Sequence, residues 1–190
     1  MVNPDRRQFL NQIGGITALA LSPFGVLEVL AEEPSKNYKT SDFSDDSDEV
    51  TLARMIFGEA RSCEDLERVA VGYTAVNRAN DGKKWNGETV KEAVLKPWQY
   101  SCFNENDPNR EKLMNPQMYD EKSFRECLDI ARGVLSGERK DVSEGATHYF
   151  NPQYARPDWA SKLEKIGKIE IGKTEDGRPV YSKHEFYREK

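Results

Sequence analysis

The sequence predicts an α+β domain that is mostly helical and carries a small β-hairpin subdomain. In the longer stretches before residue 136, apolar residues recur at spacings of three and four, which is the period of an amphipathic helix. Residues 169–187 lack that period and contain Asp176-Gly177, a dipeptide typical of hairpin turns. A chain of 190 residues, 37% of them hydrophobic, is long enough for one domain with its own core.

Each helix is predicted from its apolar stripe and from the residues that begin or end it. In the first helix, Leu52 and Met55 share one face with Glu59. Gly137 follows the stripe of the last long helix and is a typical C-terminal cap, while Pro157 suits the first turn of a further helix. We predict helices over residues 49–60, 64–79, 89–95, 121–135 and after 157, a short strand or loop wall over 98–103, and a loop or short strand over 145–152.

The N-terminal part has the features of an address signal followed by a linker. Residues 1–31 contain the pair Arg6-Arg7 and then a mildly apolar run that ends in small residues, which resembles a twin-arginine export signal. An amphipathic N-terminal helix is the alternative. Residues 32–49 hold seven acidic and two basic residues, which predicts an acidic flexible linker before a folded domain over 50–190. Export would place this domain in the periplasm, in the cell wall or outside the cell.

The charge distribution excludes some classes of partner. The net charge is -5, and the acidic linker accounts for it, so residues 50–190 are neutral overall. A neutral domain lacks the basic character of nucleic-acid binders, and we expect no nucleic-acid partner. No apolar run in this domain is long enough to cross a bilayer, so we expect no stable membrane span once the signal is removed.

The cysteines leave several interpretations open. Cys63, Cys102 and Cys127 are odd in number, so an oxidising compartment permits one disulfide and leaves one thiol, without indicating which pair. A catalytic cysteine that acts as a nucleophile is another possibility. The chain has no CxxC spacing and only two histidines, His148 and His184, so we expect no metal site and no cofactor.

Three stretches combine polar and aromatic residues in ways that a core does not require. They are residues 58–61, 98–106 and 147–152. Around them stand, in order, "ARMIFGEARSCEDLERVAVGYTAVNR", "PWQYSCFNENDPNR", "GATHYFNPQYARPDWASKL", and then "IG" and "HEFY". This ordered set resembles the SleB/CwlJ-type cell-wall hydrolases over residues 50–187. The resemblance implies a lysozyme-like domain that cuts the glycan strands of peptidoglycan, often as a lytic transglycosylase.

The resemblance implies a role for one residue. The glutamate of the family's E-A-R motif is the catalytic acid, and in this chain it is Glu59. Two departures stand out: Ser62-Cys63 replaces the Gly-Glu that follows the motif in many relatives, and an extra hairpin separates Ile171-Gly172 from His184. The hairpin leaves the role of His184 open.

The chemistry of glycan cleavage sets requirements for Glu59. Breaking a glycosidic bond requires a proton on the leaving oxygen, and a carboxyl group can supply it when apolar walls remove it from water. A hydrolytic lysozyme also uses a second carboxylate, and the only nearby candidates, Glu105 and Asp107, lie in an Asn-rich loop that we expect to be exposed. A lytic transglycosylase uses one carboxylate as acid and then base. Arg61 must point away from Glu59, because its charge would favour the ionised form of the acid.

We therefore predict an exported enzyme that cleaves peptidoglycan between N-acetylmuramic acid and N-acetylglucosamine, with Glu59 as acid and base. A hydrolytic muramidase and a noncatalytic peptidoglycan-binding protein are the alternatives. The expected partner is the glycan strand, and a regulatory protein of unknown identity is left open. Residues expected to bind sugar hydroxyl or acetamido groups are Gln99, Tyr100, Ser101, His148, Tyr149 and Asn151. Trp98, Phe103 and Tyr154 are candidates for stacking on sugar rings.

Overall fold

The computed structural model describes residues 36–189 and two short strands nearer the N-terminus. The chain divides into two units, Met1–Asn37 and Tyr38–Lys190. In the first unit, β1 (Leu19–Leu21) pairs antiparallel with β2 (Leu27–Val29). The rest of the predicted export signal over residues 1–31 lies outside the described residues. None of the helices in the described part of the chain has the length and apolar content needed to cross a bilayer.

The second unit is built around one buried helix. Its helices are α1 (Asp48–Ala60), α2 (Asp65–Asn80), α3 (Val90–Leu95), α4 (Arg110–Met114) and α5 (Pro116–Leu135). Helix α1 contacts the other four helices, and its Leu52, Met55 and Ile56 side chains are fully buried. The backbone of Asp120 is not helical, with φ -160° and ψ 85°, which divides α5 near the predicted start of that helix.

The acidic segment before α1 is folded onto the domain from Tyr38 onward, so the flexible linker predicted over 32–49 does not extend to residue 49. Phe43 is only 7% exposed and packs edge-on against Phe103 at 5.1 Å. Arg54, fully buried in α1, donates to the Asp46 carboxylate at 2.7 Å and to the Tyr38 carbonyl at 2.6 Å. These contacts attach the segment because a buried guanidinium needs acceptors for its N–H groups.

The β structure follows the helices in the chain. Strands β3 (His148–Phe150), β4 (Glu164–Gly167) and β7 (Glu185–Arg188) form an antiparallel sheet in the order β3-β7-β4. Strands β5 (Glu170–Lys173) and β6 (Pro179–Tyr181) form the predicted hairpin, and Gly177 has a φ of 82° in its turn. The α+β, mostly helical fold class is therefore confirmed.

Some elements differ from the sequence prediction. The helix predicted after Pro157 is a single 3-10 turn, Asp158–Ser161, and the wall over 98–103 is a loop that ends in the 3-10 turn Ser101–Phe103. Helix α4 and strands β4 and β7 were not predicted. Each of these three is only four or five residues long, which is too short for a periodic pattern to show.

Candidate active site

Glu59 lies in the last turn of α1, half-buried, and its carboxylate receives two hydrogen bonds from distant parts of the chain. The backbone N–H of Cys102 donates to Oε1 at 3.2 Å. The hydroxyl group of Tyr149 donates to Oε2 at 3.1 Å. The two donors come from the 3-10 turn Ser101–Phe103 and from β3, so the carboxylate joins the helical part of the domain to the small sheet.

Gly58 explains how the loop comes close enough to donate this bond. A Cβ atom at Gly58 would lie 2.7 Å from both Cβ and Sγ of Cys102 and 3.1 Å from Cδ2 of Leu113. Only a residue without a side chain allows such an approach of the loop to the helix. Gly58 is thus the local reason why the N–H group of Cys102 reaches Glu59.

Tyr149 is held as a neutral hydrogen-bond donor. It lies in β3 opposite Phe186 of β7, and the His184 ring packs edge-on against its ring at 5.1 Å. Burial and the nearby charge of Glu59 raise the pKa of Tyr149 well above its ordinary value. The phenol therefore keeps its proton at neutral pH and can donate to the Glu59 carboxylate.

Tyr100 and Cys102 lie beneath this carboxylate. Tyr100 is 2% exposed, its hydroxyl group lies 3.1 Å from the Thr74 hydroxyl group, and burial raises its pKa. Burial and the Glu59 charge raise the pKa of the Cys102 thiol well above its ordinary value. Both groups are neutral at physiological pH. Tyr100 therefore has almost no surface that a ligand could contact directly.

All three cysteines are buried and free. Burial raises the pKa of Cys63 to about 11 and that of Cys127 to about 12. Because the thiolate is the nucleophilic form, these pKa values argue against a thiol-dependent hydrolase.

Arg61 points away from Glu59. Its guanidinium group donates to the Phe57 carbonyl and the Asn109 side chain, each at 3.4 Å, and its Cζ atom lies 5.4 Å from the centre of the Tyr119 ring. Within residues 36–189, no lysine or arginine nitrogen lies within 4.0 Å of a Glu59 oxygen. Glu59 therefore forms no ion pair with a lysine or arginine side chain in this part of the chain.

The other candidate binding residues fall on different sides of the site. Ser101 is exposed and Gln99 half-buried, on the same loop as Cys102. His148 neighbours Tyr149 in β3, so its side chain points to the opposite face, where it packs against Trp159 at 5.1 Å. Burial lowers the pKa of His148 to about 4.

Asn151 is engaged in a local turn. Its Oδ1 atom accepts a hydrogen bond from the Gln153 N–H group at 3.0 Å, and its carbonyl group accepts from Tyr154 and Ala155. This bonding is that of an Asx turn, which fixes the backbone after β3. One hydrogen bond of the Asn151 side-chain carbonyl is therefore used within this turn.

An open cleft of about 640 Å³ begins next to Cys102. Its lining includes Phe103, Trp98 and the Asn-rich loop with Glu105 and Asp107. The Trp98 side chain is 85% exposed on a backbone with a φ of 70°, in the left-handed region that is uncommon for a bulky residue. Glu105 is exposed, as the sequence predicts, and Asp107 is half-buried and accepts a hydrogen bond from the Asn109 N–H group at 2.8 Å.

Comparison with known proteins identifies the family. A family model described as Cell Wall Hydrolase matches residues 64–172, more than half of the chain. The chain belongs to the cell wall hydrolase family. Glu59 lies just before the matched residues, so the match does not test the catalytic role predicted for it.

One curated protein resembles the chain over part of its own length. A spore cortex-lytic enzyme of Halalkalibacterium halodurans is 29% identical over 126 residues, which are 65% of this chain and 34% of that protein. The chain thus spans about a third of the length of this curated relative.

Two solved structures also match. The catalytic domain of the germination-specific lytic transglycosylase SleB from Bacillus anthracis is 19% identical, with a TM-score of 0.48, covering 77% of this chain and 99% of that one. The catalytic domain of the Bacillus cereus SleB protein is 18% identical, with a TM-score of 0.47, covering 82% and 100%.

Some parts of the site carried no sequence signal. The Cys102 donor is a backbone N–H group, which every residue except proline has, so residue identity does not reveal it. The contact between Glu67 and His184, with Nδ1 2.8 Å from Oε1, joins residues 117 positions apart. In the sequence, the extra hairpin before His184 was the one sign that this end of the chain departs from the family pattern.

Proposed function

We propose that this cell wall hydrolase is an exported lytic transglycosylase that cleaves the bond between N-acetylmuramic acid and N-acetylglucosamine, with Glu59 as both acid and base. The observation that carries the proposal is the environment of the Glu59 carboxylate. It is half-buried, it receives hydrogen bonds from Cys102 and Tyr149, and no cation pairs with it in the described part of the chain. A carboxyl group in such a place can give up and take back a proton without a competing ion pair.

The reaction follows from this arrangement. Protonated Glu59 donates its proton to the glycosidic oxygen, the bond to the anomeric carbon of the muramic residue breaks, and positive charge develops on that carbon. The C6 hydroxyl group of the same muramic residue then attacks the anomeric carbon, and ionised Glu59 accepts its proton. The products are a free hydroxyl group on the leaving sugar and a 1,6-anhydro-muramic end, and the enzyme returns to its starting state.

The two neutral donors act between these steps. When Glu59 has lost its proton, the Cys102 N–H group and the Tyr149 hydroxyl group stabilise its negative charge and hold both oxygens in place. Because Tyr149 keeps its own proton, it does not compete with the substrate as an acid.

We assign glycan binding to the loop that supplies Cys102 and to the cleft beside it. Ser101 is exposed next to Cys102, and Gln99 lies on the same loop, so their polar groups are placed to meet sugar hydroxyl or acetamido groups. Trp98 and Tyr154 are each 85% exposed and offer flat faces on which sugar rings stack. In this proposal Tyr100, His148 and Asn151 support the site and do not touch the glycan.

The products distinguish the proposal from its two alternatives. Purified sacculi digested with the protein should release muropeptides with anhydro-muramic ends, each lighter by one water than a reducing end. Only reducing ends would identify a hydrolytic muramidase instead. Binding to sacculi without release of muropeptides would identify a noncatalytic binding protein.

Export and the domain limits are part of the same proposal. An enzyme that acts on peptidoglycan has to leave the cytoplasm, and Arg6-Arg7 fits that need. We propose a signal over residues 1–31 and a catalytic domain that begins at about Tyr38, where packing onto the domain starts. Replacement of both arginines by lysine should retain the protein in the cytoplasmic fraction, and unchanged export would refute this assignment of the signal.

A further inference from the structure

Cys63, Glu67 and His184 form a buried cluster beside the proposed active site. One ligand atom from each residue (the thiol sulfur, a carboxylate oxygen and a ring nitrogen) lies within 4.8 Å of the other two. Cys63 and His184 are each 8% exposed, and Glu67 is fully buried. Cys63 lies between α1 and α2, Glu67 lies in the first turn of α2, and His184 precedes β7.

Hydrogen bonding leaves this cluster incomplete. The Glu67 Oε1 atom accepts from the His184 backbone N–H group at 2.9 Å and lies 2.8 Å from its Nδ1 atom. The Oε2 atom is equally buried, yet no group of residues 36–189 forms a hydrogen bond with it. Burial acts to raise the pKa of Glu67, but the hydrogen bonds from His184 outweigh it and hold that pKa below its usual value. The cluster therefore holds a buried carboxylate group with one oxygen that has no hydrogen bond, and a buried oxygen of this kind favours a further partner.

We propose that Cys63, Glu67 and His184 bind a divalent transition-metal ion, with Zn²⁺ the preferred ion. A thiolate, an imidazole and a carboxylate are the ligand types that Zn²⁺ takes in proteins, whereas Mg²⁺ and Ca²⁺ prefer oxygen ligands alone. Two anionic ligands and one neutral imidazole balance the charge of a divalent ion. A fourth position is open to water or another small ligand.

Binding would exchange protons for the metal. Without metal the Cys63 thiol is protonated, because burial and the charge of Glu67 raise its pKa to about 11. The ion would replace the thiol proton and any proton shared by His184 and Glu67, and these protons would leave to solvent. The ion also gives the unsatisfied carboxylate oxygen a partner.

The extra hairpin, formed by β5 and β6, leads directly to His184, one of the three proposed ligands. Its base is closed by Ser182, which is 1% exposed. The Ser182 hydroxyl group donates to the His184 carbonyl at 2.7 Å and accepts from the Ile169 N–H group at 3.1 Å. This bonding ties the His184 backbone to Ile169 at the start of the hairpin, and the His184 N–H group in turn donates to Glu67 of α2. By binding His184 and Glu67, a metal ion would link the base of the hairpin to α2. His184 also contacts the Tyr149 ring, so the ion would lie close to the proposed active site.

The sequence suggested no metal site because the ligands lack a recognised spacing. Cys63 and Glu67 are four residues apart, but His184 follows 117 residues later. Only the fold brings them together, by placing His184 against the Glu67 side chain of α2.

Cobalt binding tests the proposal independently of enzymatic activity. The full chain without an affinity tag is freed of metal with a chelator and titrated with Co²⁺. We expect a thiolate-to-cobalt charge-transfer band that saturates at one ion per chain and disappears when Zn²⁺ is added. Mg²⁺ in excess should not remove the band. Absence of the band in the wild-type protein would overturn the proposal.

Two cysteine variants locate the site. Cys63→Ser should lose the band and should weaken Zn²⁺ binding by more than the roughly 10- to 100-fold that loss of an outer-shell partner causes. Cys127→Ser removes another buried thiol, in α5, and should bind as the wild type does. Circular dichroism confirms that each variant is folded. A band that persists unchanged in folded Cys63→Ser would place the metal elsewhere and refute the assignment.

Discussion

Replacement of Gly58 by alanine perturbs the proposed site without touching its chemical groups. The new Cβ atom would lie 2.7 Å from Cβ and Sγ of Cys102, whereas carbon atoms in good contact are about 3.5–4.0 Å apart, so the Cys102 loop must move by roughly 1 Å. The hydrogen bond from Cys102 to Glu59 is 3.2 Å long, and a shift of this size takes it beyond about 3.5 Å. Misplacement by 1 Å can lower turnover roughly 100-fold.

The assay for Gly58→Ala is the initial rate of muropeptide release from purified sacculi, measured with urea denaturation of the same protein. We expect a roughly 100-fold lower rate. Overpacking should cost about 1–3 kcal/mol of unfolding free energy, which the better helix propensity of alanine offsets by about 1 kcal/mol. Gly172→Ala is the matched control, because a Cβ atom there meets nothing within 4 Å. A folded Gly58→Ala protein with wild-type turnover would refute this account of the loop.

Three further predictions concern the surroundings of the site. Tyr149→Phe removes the hydrogen bond that stabilises ionised Glu59. A hydrogen bond to a charged group is worth about 1.5–3 kcal/mol, so turnover on sacculi should fall roughly 10- to 100-fold, and an unchanged rate would contradict the role of that bond. Arg54→Met leaves the nearly buried Asp46 carboxylate without its positively charged partner and should lower the unfolding free energy, measured in urea, by about 3–5 kcal/mol. A loss near zero would mean that water solvates Asp46. Burial lowers the pKa of His148 from 6.5 to about 4. Between these pH values His148 is therefore protonated in the unfolded chain but not in the folded protein. The contribution of His148 to stability is therefore complete above pH 6.5 and declines as the pH falls toward 4, by about 1.4 kcal/mol per pH unit at most. Urea denaturation at several pH values should show that the unfolding free energy falls with pH in this range, and that it falls less steeply in His148→Asn than in the wild type. Equal dependence on pH in the two proteins would rule out a lowered pKa for His148.

The longer helices were predictable because burial imposes a period on their sequence. Helix α1 spans Asp48–Ala60 against a prediction of 49–60, and α2 spans Asp65–Asn80 against 64–79. The hairpin around Gly177 was also visible, because its turn needs a residue that adopts a positive φ. Strands β4 and β7 were missed because they are four residues long and pair through a bulge near Gly167.

The acidic segment shows where composition misleads. Its charge and lack of aliphatic residues are typical of a disordered linker, yet Phe43 and Asp46 attach it to the domain. The sequence did contain a sign of this, since Arg54 interrupts the apolar face of α1 and a buried arginine requires acceptors.

The candidate site was only partly predictable. The resemblance predicted Glu59 as the catalytic acid, but it did not reveal which neighbours surround the carboxylate. Tyr149 and His148 were proposed together for glycan binding, and the alternation of side chains along β3 directs only Tyr149 toward Glu59. The Cys102 N–H group depends on a backbone approach that Gly58 permits, and such an approach exists only in the folded protein.

Glu59→Gln is the measurement that tests the central claim most directly. Glutamine has the shape of glutamate and can still accept the hydrogen bond from Cys102, but it cannot donate or take up the catalytic proton. With purified sacculi as substrate, we predict that muropeptide release falls by about 10²- to 10⁴-fold, while binding to sacculi and the Tm remain those of the wild type. Release of muropeptides at the wild-type rate by folded Glu59→Gln would contradict the assignment of Glu59 as the acid and base of this enzyme.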